Sequence, residues 1–245
     1  MEKEFIREVP DSECCILFIH GILGTPRHFC FLFDLIPEKV SYYDILLDGH
    51  GGTAFSFSKS NMKKWKNQVH GLVQKLSKMH QRLIFVCHSM GCLFAIEESL
   101  YLKNSELFLL NLPLKIHMTK ELFKMMWKCY TGKAKKEDRK YLSTMEATSI
   151  TLSKNPFVYL LWTKNYLSLF AEMKKVRKSL KQHPIKGTCF YSVKDEMVSE
   201  KTISYVLKFP EMKIYEMKDS GHFFYEENDR NLIRHEFEEL MARIS

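Results

Sequence analysis

The 245-residue sequence contains no run of about 18 uncharged apolar residues, so no membrane-spanning helix is expected. Its first ten residues, MEKEFIREVP, carry charges of both signs and no apolar core of signal-peptide length. A soluble, cytoplasmic chain is the expectation. No C-x-x-C pair occurs among the seven cysteines (14, 15, 30, 87, 92, 129 and 189), and no Cys/His group has zinc-ligand spacing. They read as reduced, small core hydrophobes, and neither a metal nor a cofactor is expected. Internal repeats and low-complexity linkers are missing too. Acidic residues are scarce in one place: positions 112–186 hold 17 Lys/Arg against 5 Asp/Glu, whereas the remainder has 20 against 24. One segment thus accounts for the whole net charge of +8.

What is present is a rhythm. Six short apolar runs recur: CCILFIH (14–20), YYDILL (42–47), LIFVCH (83–88), LFLLNL (107–112), TCFYSV (188–193) and KIYEM (213–217). Four of the six are near-continuously apolar, as parallel strands covered on both faces are. Helical patterns separate them. Trp65, Val69, Leu72, Val73 and Leu76 fall on one face with lysines opposite, and Leu232, Ile233, Phe237, Leu240 and Met241 repeat the pattern. Alternating strand and helix predicts an α/β fold, a mostly parallel sheet with helices on both faces. The connection at 113–187 is too long for a loop and carries helical spacing at Leu169, Met173, Val176 and Leu180. It reads as a helical insertion into a core formed by 1–112 and 188–245.

Ligands of open parallel sheets bind beyond the carboxyl ends of the strands. Those ends carry HGILGT after the first run, DGHGGT after the second, Ser89 after the third, Lys194, Asp195 and Glu196 after the fifth, and DSGHFF with His222 after the sixth. A serine, a carboxylate and a histidine therefore converge on one edge. A serine hydroxyl needs an imidazole to take its proton. The imidazole needs a carboxylate on its other nitrogen. The resulting oxyanion needs preorganised N–H donors. Read locally, Ser89 in FVCHSMGC is either such a nucleophile or a helix N-cap, and Asp195 competes with Glu196 for the role of acid. His20, His50 and His88 read as structural or hydrogen-bonding residues. Cys87 and Cys92 are weak candidates for nucleophile, since neither occupies the tip of the turn.

FIHGILGTPRHF, LLDGHGGT, VCHSMGC, VKDEMV and SGHFFYEE together resemble the α/β-hydrolase superfamily, in particular small bacterial carboxylesterases and monoacylglycerol lipases. The likeness spans the chain except for the insertion, which lies where such proteins place a cap. It implies a serine hydrolase of carboxylic esters acting through an acyl-enzyme. Ser89 becomes nucleophile, Asp195 acid and His222 base, and the N–H groups of Ile22 and Met90 form the oxyanion hole. Cys87 stands where the motif has its first glycine, and Gly91 keeps the second. The implied partner is a small-molecule ester, most simply an acyl ester, and no nucleic acid. An acyltransferase or thioesterase would use the same triad, and a non-catalytic binding protein could use the same scaffold. The basic insertion suggests attraction to anionic lipid surfaces. Neither the natural acyl chain nor the oligomeric state is readable.

Overall fold

The computed structural model describes residues 2–117, 119–120, 124, 127–128, 131 and 144–244. Cys129 and the basic stretch KAKKEDRK lie outside them. Seven strands form one sheet: β1 Phe5–Arg7, β2 Cys14–Ile19, β3 Ser41–Ile45, β4 Arg82–His88, β5 Ser105–Leu110, β6 Gly187–Ser192 and β7 Met212–Met217. Their order is β1-β3-β2-β4-β5-β6-β7. Only β1 runs antiparallel. The six apolar runs correspond to β2 to β7, with ends shifted by one or two residues. The short edge strand β1 comes from the charged amino-terminal stretch, where no apolar run marks it.

Side chains of a strand alternate between faces, and this sorts the core into two layers. Leu17, Phe85, Leu107 and Cys189 face one way, together with Trp65, Val69, Val73 and Leu76 of α2 (Met62–Met79) and the buried side of α3 (Met90–Ser99). Ile16, Phe18, Val86, Phe108 and Phe190 face the other. There they meet Phe29 and Leu32 of a 3-10 helix, Pro26–Leu35, and Ile233, Phe237 and Leu240 of the last helix, Glu227–Ala242. α1 (Ala54–Ser58) lies between β3 and α2.

The described part of 113–187 contains α4 (Phe157–Leu160) and α5 (Thr163–Ser179), so the last helix is α6. Leu169, Met173 and Val176 of α5 are buried in the same layer as α2 and α3. A charged cluster ties these helices together: Lys66 of α2 meets Glu97 of α3 at 2.5 Å and Glu172 of α5 at 2.7 Å. α4 packs against α1, where Trp162 Nε1 donates to the Ala54 carbonyl at 2.9 Å. Among the described residues, no helix is long and apolar enough to cross a membrane.

Candidate active site

The chain leaves β4, turns at Ser89 and enters α3 at once. Ser89 has φ 50° and ψ −121°, a conformation costly for a residue with a side chain. It holds because both flanks are fixed. The Ser89 N–H donates to the Leu110 carbonyl at 3.0 Å, and its own carbonyl accepts from Cys92 N–H at 2.9 Å. Gly91 is obligatory: a Cβ there would lie 2.1 Å from the Ile19 carbonyl oxygen. Cys87 fits as a fully buried member of the sheet core. Ser89 stands at the helix N-cap position, yet its side chain makes no capping hydrogen bond.

The hydroxyl points elsewhere. Ser89 Oγ lies 3.0 Å from His222 Nε2. On the far side of the ring, His222 Nδ1–H donates to Asp195 Oδ2 at 2.7 Å. The other carboxylate oxygen of Asp195 accepts N–H groups from Met197 at 2.7 Å and Val198 at 2.6 Å. All three side chains are buried. The three sequence candidates thus form one hydrogen-bonded line, supplied by the loops after β4, β6 and β7. Glu196 points differently: its Oε2 accepts the backbone N–H of His222 at 3.0 Å.

Ile22 and Met90 flank this line on the turn after β2 and at the start of α3. The turn is held from three sides. His20 Nδ1–H donates to the Gly21 carbonyl at 2.8 Å, and His20 Nε2 accepts Leu47 N–H at 3.1 Å. Leu23, at φ 61°, donates its N–H to His50 Nε2 at 3.1 Å and accepts Ser149 N–H at 2.9 Å. Both rings must be neutral to accept at Nε2. Burial enforces this, lowering His20 to about 4 and His50 well below the usual imidazole range.

His88 is buried between two other imidazoles, with ring centroids 4.1 Å from His28 and 4.8 Å from His222. Its Nε2–H donates to the His222 carbonyl at 2.9 Å, the hydrogen-bonding role read from its position. Burial holds His88 neutral as well. Cys87 and Cys92 are free thiols, and burial pushes both well above the ordinary thiol range, which suppresses the reactive thiolate. Cys14, Cys15 and Cys189 are buried and free too, but Cys30 is exposed, unlike the core role expected of it. Among the described residues, no cluster of three or more His, Cys, Asp or Glu is arranged to hold a metal ion.

Sequence reasoning missed Asn111, Ser149 and His28. Asn111 follows β5 directly, at φ 52°, and its amide reaches the carbonyls of Gly221 at 3.2 Å and His222 at 3.1 Å. It was legible only as the polar residue inside the run LFLLNL. Ser149 carries no local signal, and His28 stands within FIHGILGTPRHF without being singled out. A cavity of about 430 Å³ opens beside the His222 loop, lined by Arg27, His28, Phe31, Phe223, Tyr225 and Arg230. Ser89 does not line it.

No family model matches the chain, and no curated protein matches it. Solved structures do. One of the metagenome-derived lipolytic enzymes LipS and LipT superposes with a TM-score of 0.68 at 16% identity, over 99% of this chain and 96% of its own. A monoacylglycerol lipase from Paleococcus ferrophilus gives 0.68 at 15% identity, over 100% of both chains. A thioesterase domain from the curacin biosynthetic pathway gives 0.56 at 16% identity, over 100% of this chain and 99% of its own. At these identities the likeness is one of architecture, and the architecture is specific: this chain has the α/β-hydrolase fold.

Proposed function

We propose that the chain is a serine hydrolase of carboxylic esters. The observation that carries the reading is the line Asp195–His222–Ser89, with contacts of 2.7 and 3.0 Å, set on a strand–turn–helix whose serine has φ 50°. In the proposed reaction, His222 Nε2 takes the Ser89 proton as Oγ attacks the ester carbonyl carbon. The carbonyl oxygen becomes an oxyanion facing the N–H groups of Ile22 and Met90. As the tetrahedral intermediate collapses, the C–O bond to the alcohol breaks and His222 returns the proton to the leaving oxygen. Water then repeats the sequence on the acyl-enzyme and releases the acid. Asp195 keeps the Nδ1–H tautomer and stabilises the imidazolium. Structural neighbours described as lipolytic enzymes and monoacylglycerol lipase favour an acyl ester as substrate. The thioesterase neighbour favours, as the second reading, release of an acyl group from a thioester by the same steps.

The test is labelling with a fluorophosphonate, then turnover of p-nitrophenyl esters from acetate to palmitate, each compared with Ser89→Ala. Label on Ser89 and a loss of roughly 10⁶ in kcat for the variant are expected. A wild-type chain that takes no label would leave the non-catalytic scaffold as the better account. Faster turnover of acyl thioesters than of the matching oxygen esters would favour the second reading.

The cap reading of 113–187 is kept as a proposal for the stretch before α5, of which Leu114, Ile150, Val158 and Trp162 join the main core, as the inner face of α5 does. The outer face carries a further proposal. Leu167 and Phe170 are exposed on α5, and Phe157, Leu160 and Leu161 are exposed at the helix before it. Lys164, Lys174 and Lys178 share that side of α5, and from 151 to 187 the lone acidic residue is Glu172, buried and paired with Lys66. An apolar stripe beside lysines suits an anionic lipid surface. Sedimentation with phosphatidylglycerol vesicles, but not with phosphatidylcholine vesicles, is the expected result at low salt. Equal sedimentation with both removes the electrostatic part.

A further inference from the structure

His222 sits on a loop between β7 and α6. Regular structure does not hold its main chain in place. Side chains do. Its N–H donates to Glu196 Oε2 at 3.0 Å. Its carbonyl accepts His88 Nε2–H at 2.9 Å and Asn111 Nδ2–H at 3.1 Å. The three residues come from the loop after β6, the last position of β4 and the first position beyond β5.

The grip is itself braced. Asn111 Oδ1 accepts Ser192 N–H at 3.0 Å, so its amide is oriented with nitrogen toward the His222 loop. The Glu196 carboxylate presses so closely on the loop that a Cβ on Gly221 would lie 2.8 Å from Oε2. Glycine at 221 is therefore the residue that lets Glu196 reach the next peptide.

An imidazole that passes one proton from Ser89 Oγ to a leaving oxygen has to keep both nitrogens aligned throughout. Its own side-chain torsions fix the ring relative to its Cα, and the loop fixes the Cα. We propose that Glu196, backed by Asn111 and His88, is a positioning residue for His222: it fixes the peptide of the base while its neighbour Asp195 fixes the ring. The inference rests on the hydrolase reading above. It gives two adjacent carboxylates separate tasks, one on the imidazole Nδ1–H and one on the backbone N–H of the same residue. A carboxylate accepting a peptide N–H makes a charge-assisted bond. An amide oxygen can accept the same N–H. Reach and charge can therefore be separated by substitution.

The experiment uses the full chain and an ester that the wild type hydrolyses. Fluorophosphonate labelling of the wild type comes first, and its failure overturns the hydrolase reading and the inference with it. Three variants follow. Glu196→Gln keeps the reach without the charge and is expected to hold kcat within about threefold of wild type. Glu196→Asp keeps the charge but withdraws it by one methylene, and Glu196→Ala removes the group. Both are expected to lower kcat by about 10- to 100-fold, the scale of a 1 Å misplacement, with KM within about twofold. If the alanine variant does not fold, the ranking of Gln above Asp still decides. An aspartate variant as active as wild type beside a crippled glutamine variant overturns positioning in favour of simple electrostatics. All variants within about twofold of wild type, or a rise in KM at constant kcat, overturn it as well.

Discussion

Asp195 and Asp44 are equally sealed from solvent, at 4% and 0% exposed, and they have little else in common. Asp195 lies on a loop past the end of β6, where two backbone N–H groups and one imidazole N–H converge on its oxygens. Asp44 lies within β3, paired across the sheet with Phe5 and Phe18. Among the described residues neither of its oxygens has a hydrogen-bond partner. Burial, assisted by the charge of Glu4, drives its carboxyl well above the ordinary range. Depth alone therefore does not distinguish the two carboxylates. What separates the two is the supply of donors, and that supply is found in loops at the carboxyl edge, where backbone groups are not committed to strand pairing.

The strongest break of this contrast is Asp195→Asn. Its amide cannot keep His222 in the Nδ1–H tautomer, and a loss of about 10⁴ in kcat is expected. Glu196→Gln, one residue away, should lose far less. Steady-state kinetics of the two variants checks this, and reversed losses would transfer the role of acid to Glu196.

A second comparison sets Asp44 against the partnered histidines. His20, His50 and His88 are buried and held neutral, with burial the main cause. Above about pH 6.5 an imidazole is neutral in folded and unfolded chains alike, so nothing is lost. Below it the unfolded chain takes up protons that the folded one refuses. Stability should then fall by about 1.4 kcal/mol per pH unit for each ring, or about 4 kcal/mol per unit for the three. For His20 the loss continues down to about pH 4. Melting temperatures at pH 7 and pH 5 test this, and a flat profile would contradict it.

Asp44 carries the opposite sign. Its folded-state pKa is raised, so its contribution is intact at low pH and is lost as pH climbs above about 4, where the unfolded carboxyl ionises first. Asp44→Asn removes that titration. The variant's stability relative to wild type should improve between pH 5 and pH 8, by up to about 1.4 kcal/mol per unit. The same difference at both pH values would mean that Asp44 titrates normally.

The smallest effect is expected at Cys87, which fills the glycine position of the turn. Cys87→Ala should retain activity, whereas Cys87→Leu should overpack the strand by about 1–3 kcal/mol. An inactive alanine variant with an unchanged circular dichroism spectrum would give the thiol a chemical role.

These contrasts explain what the sequence could and could not disclose. β2 and β4 to β6 are legible because both their faces are buried, so the run is continuously apolar. β1 is illegible because a three-residue edge strand faces solvent along one side and keeps its charges. α2 and α6 announce themselves by spacing, and the same spacing in α5 reports a buried face without saying that the face joins the main core. At the site, Ser89 and His222 are legible from glycine-flanked turns and chain order. Asp195 and Glu196 are not separable by pattern, because they differ in where their oxygens point. Asn111 and Ser149 escape notice for a related reason. Their roles lie in contacts with residues 110 and 126 positions away in sequence, and local periodicity carries no information at that range.

The position of Cys30 has a practical consequence. Its thiol is the exposed one among the described cysteines, and it lines the cavity beside the His222 loop. Partial burial raises the Cys30 thiol as well, but it remains accessible, whereas the thiols of Cys14 and Cys189 are buried and pushed up to about 11 and about 12. With Cys129 replaced by serine, a maleimide dye added under native conditions should attach at that single point. The 3-10 helix thus offers an optical reporter on the wall of the cavity, able to register an arriving ligand without altering Ser89, Asp195 or His222.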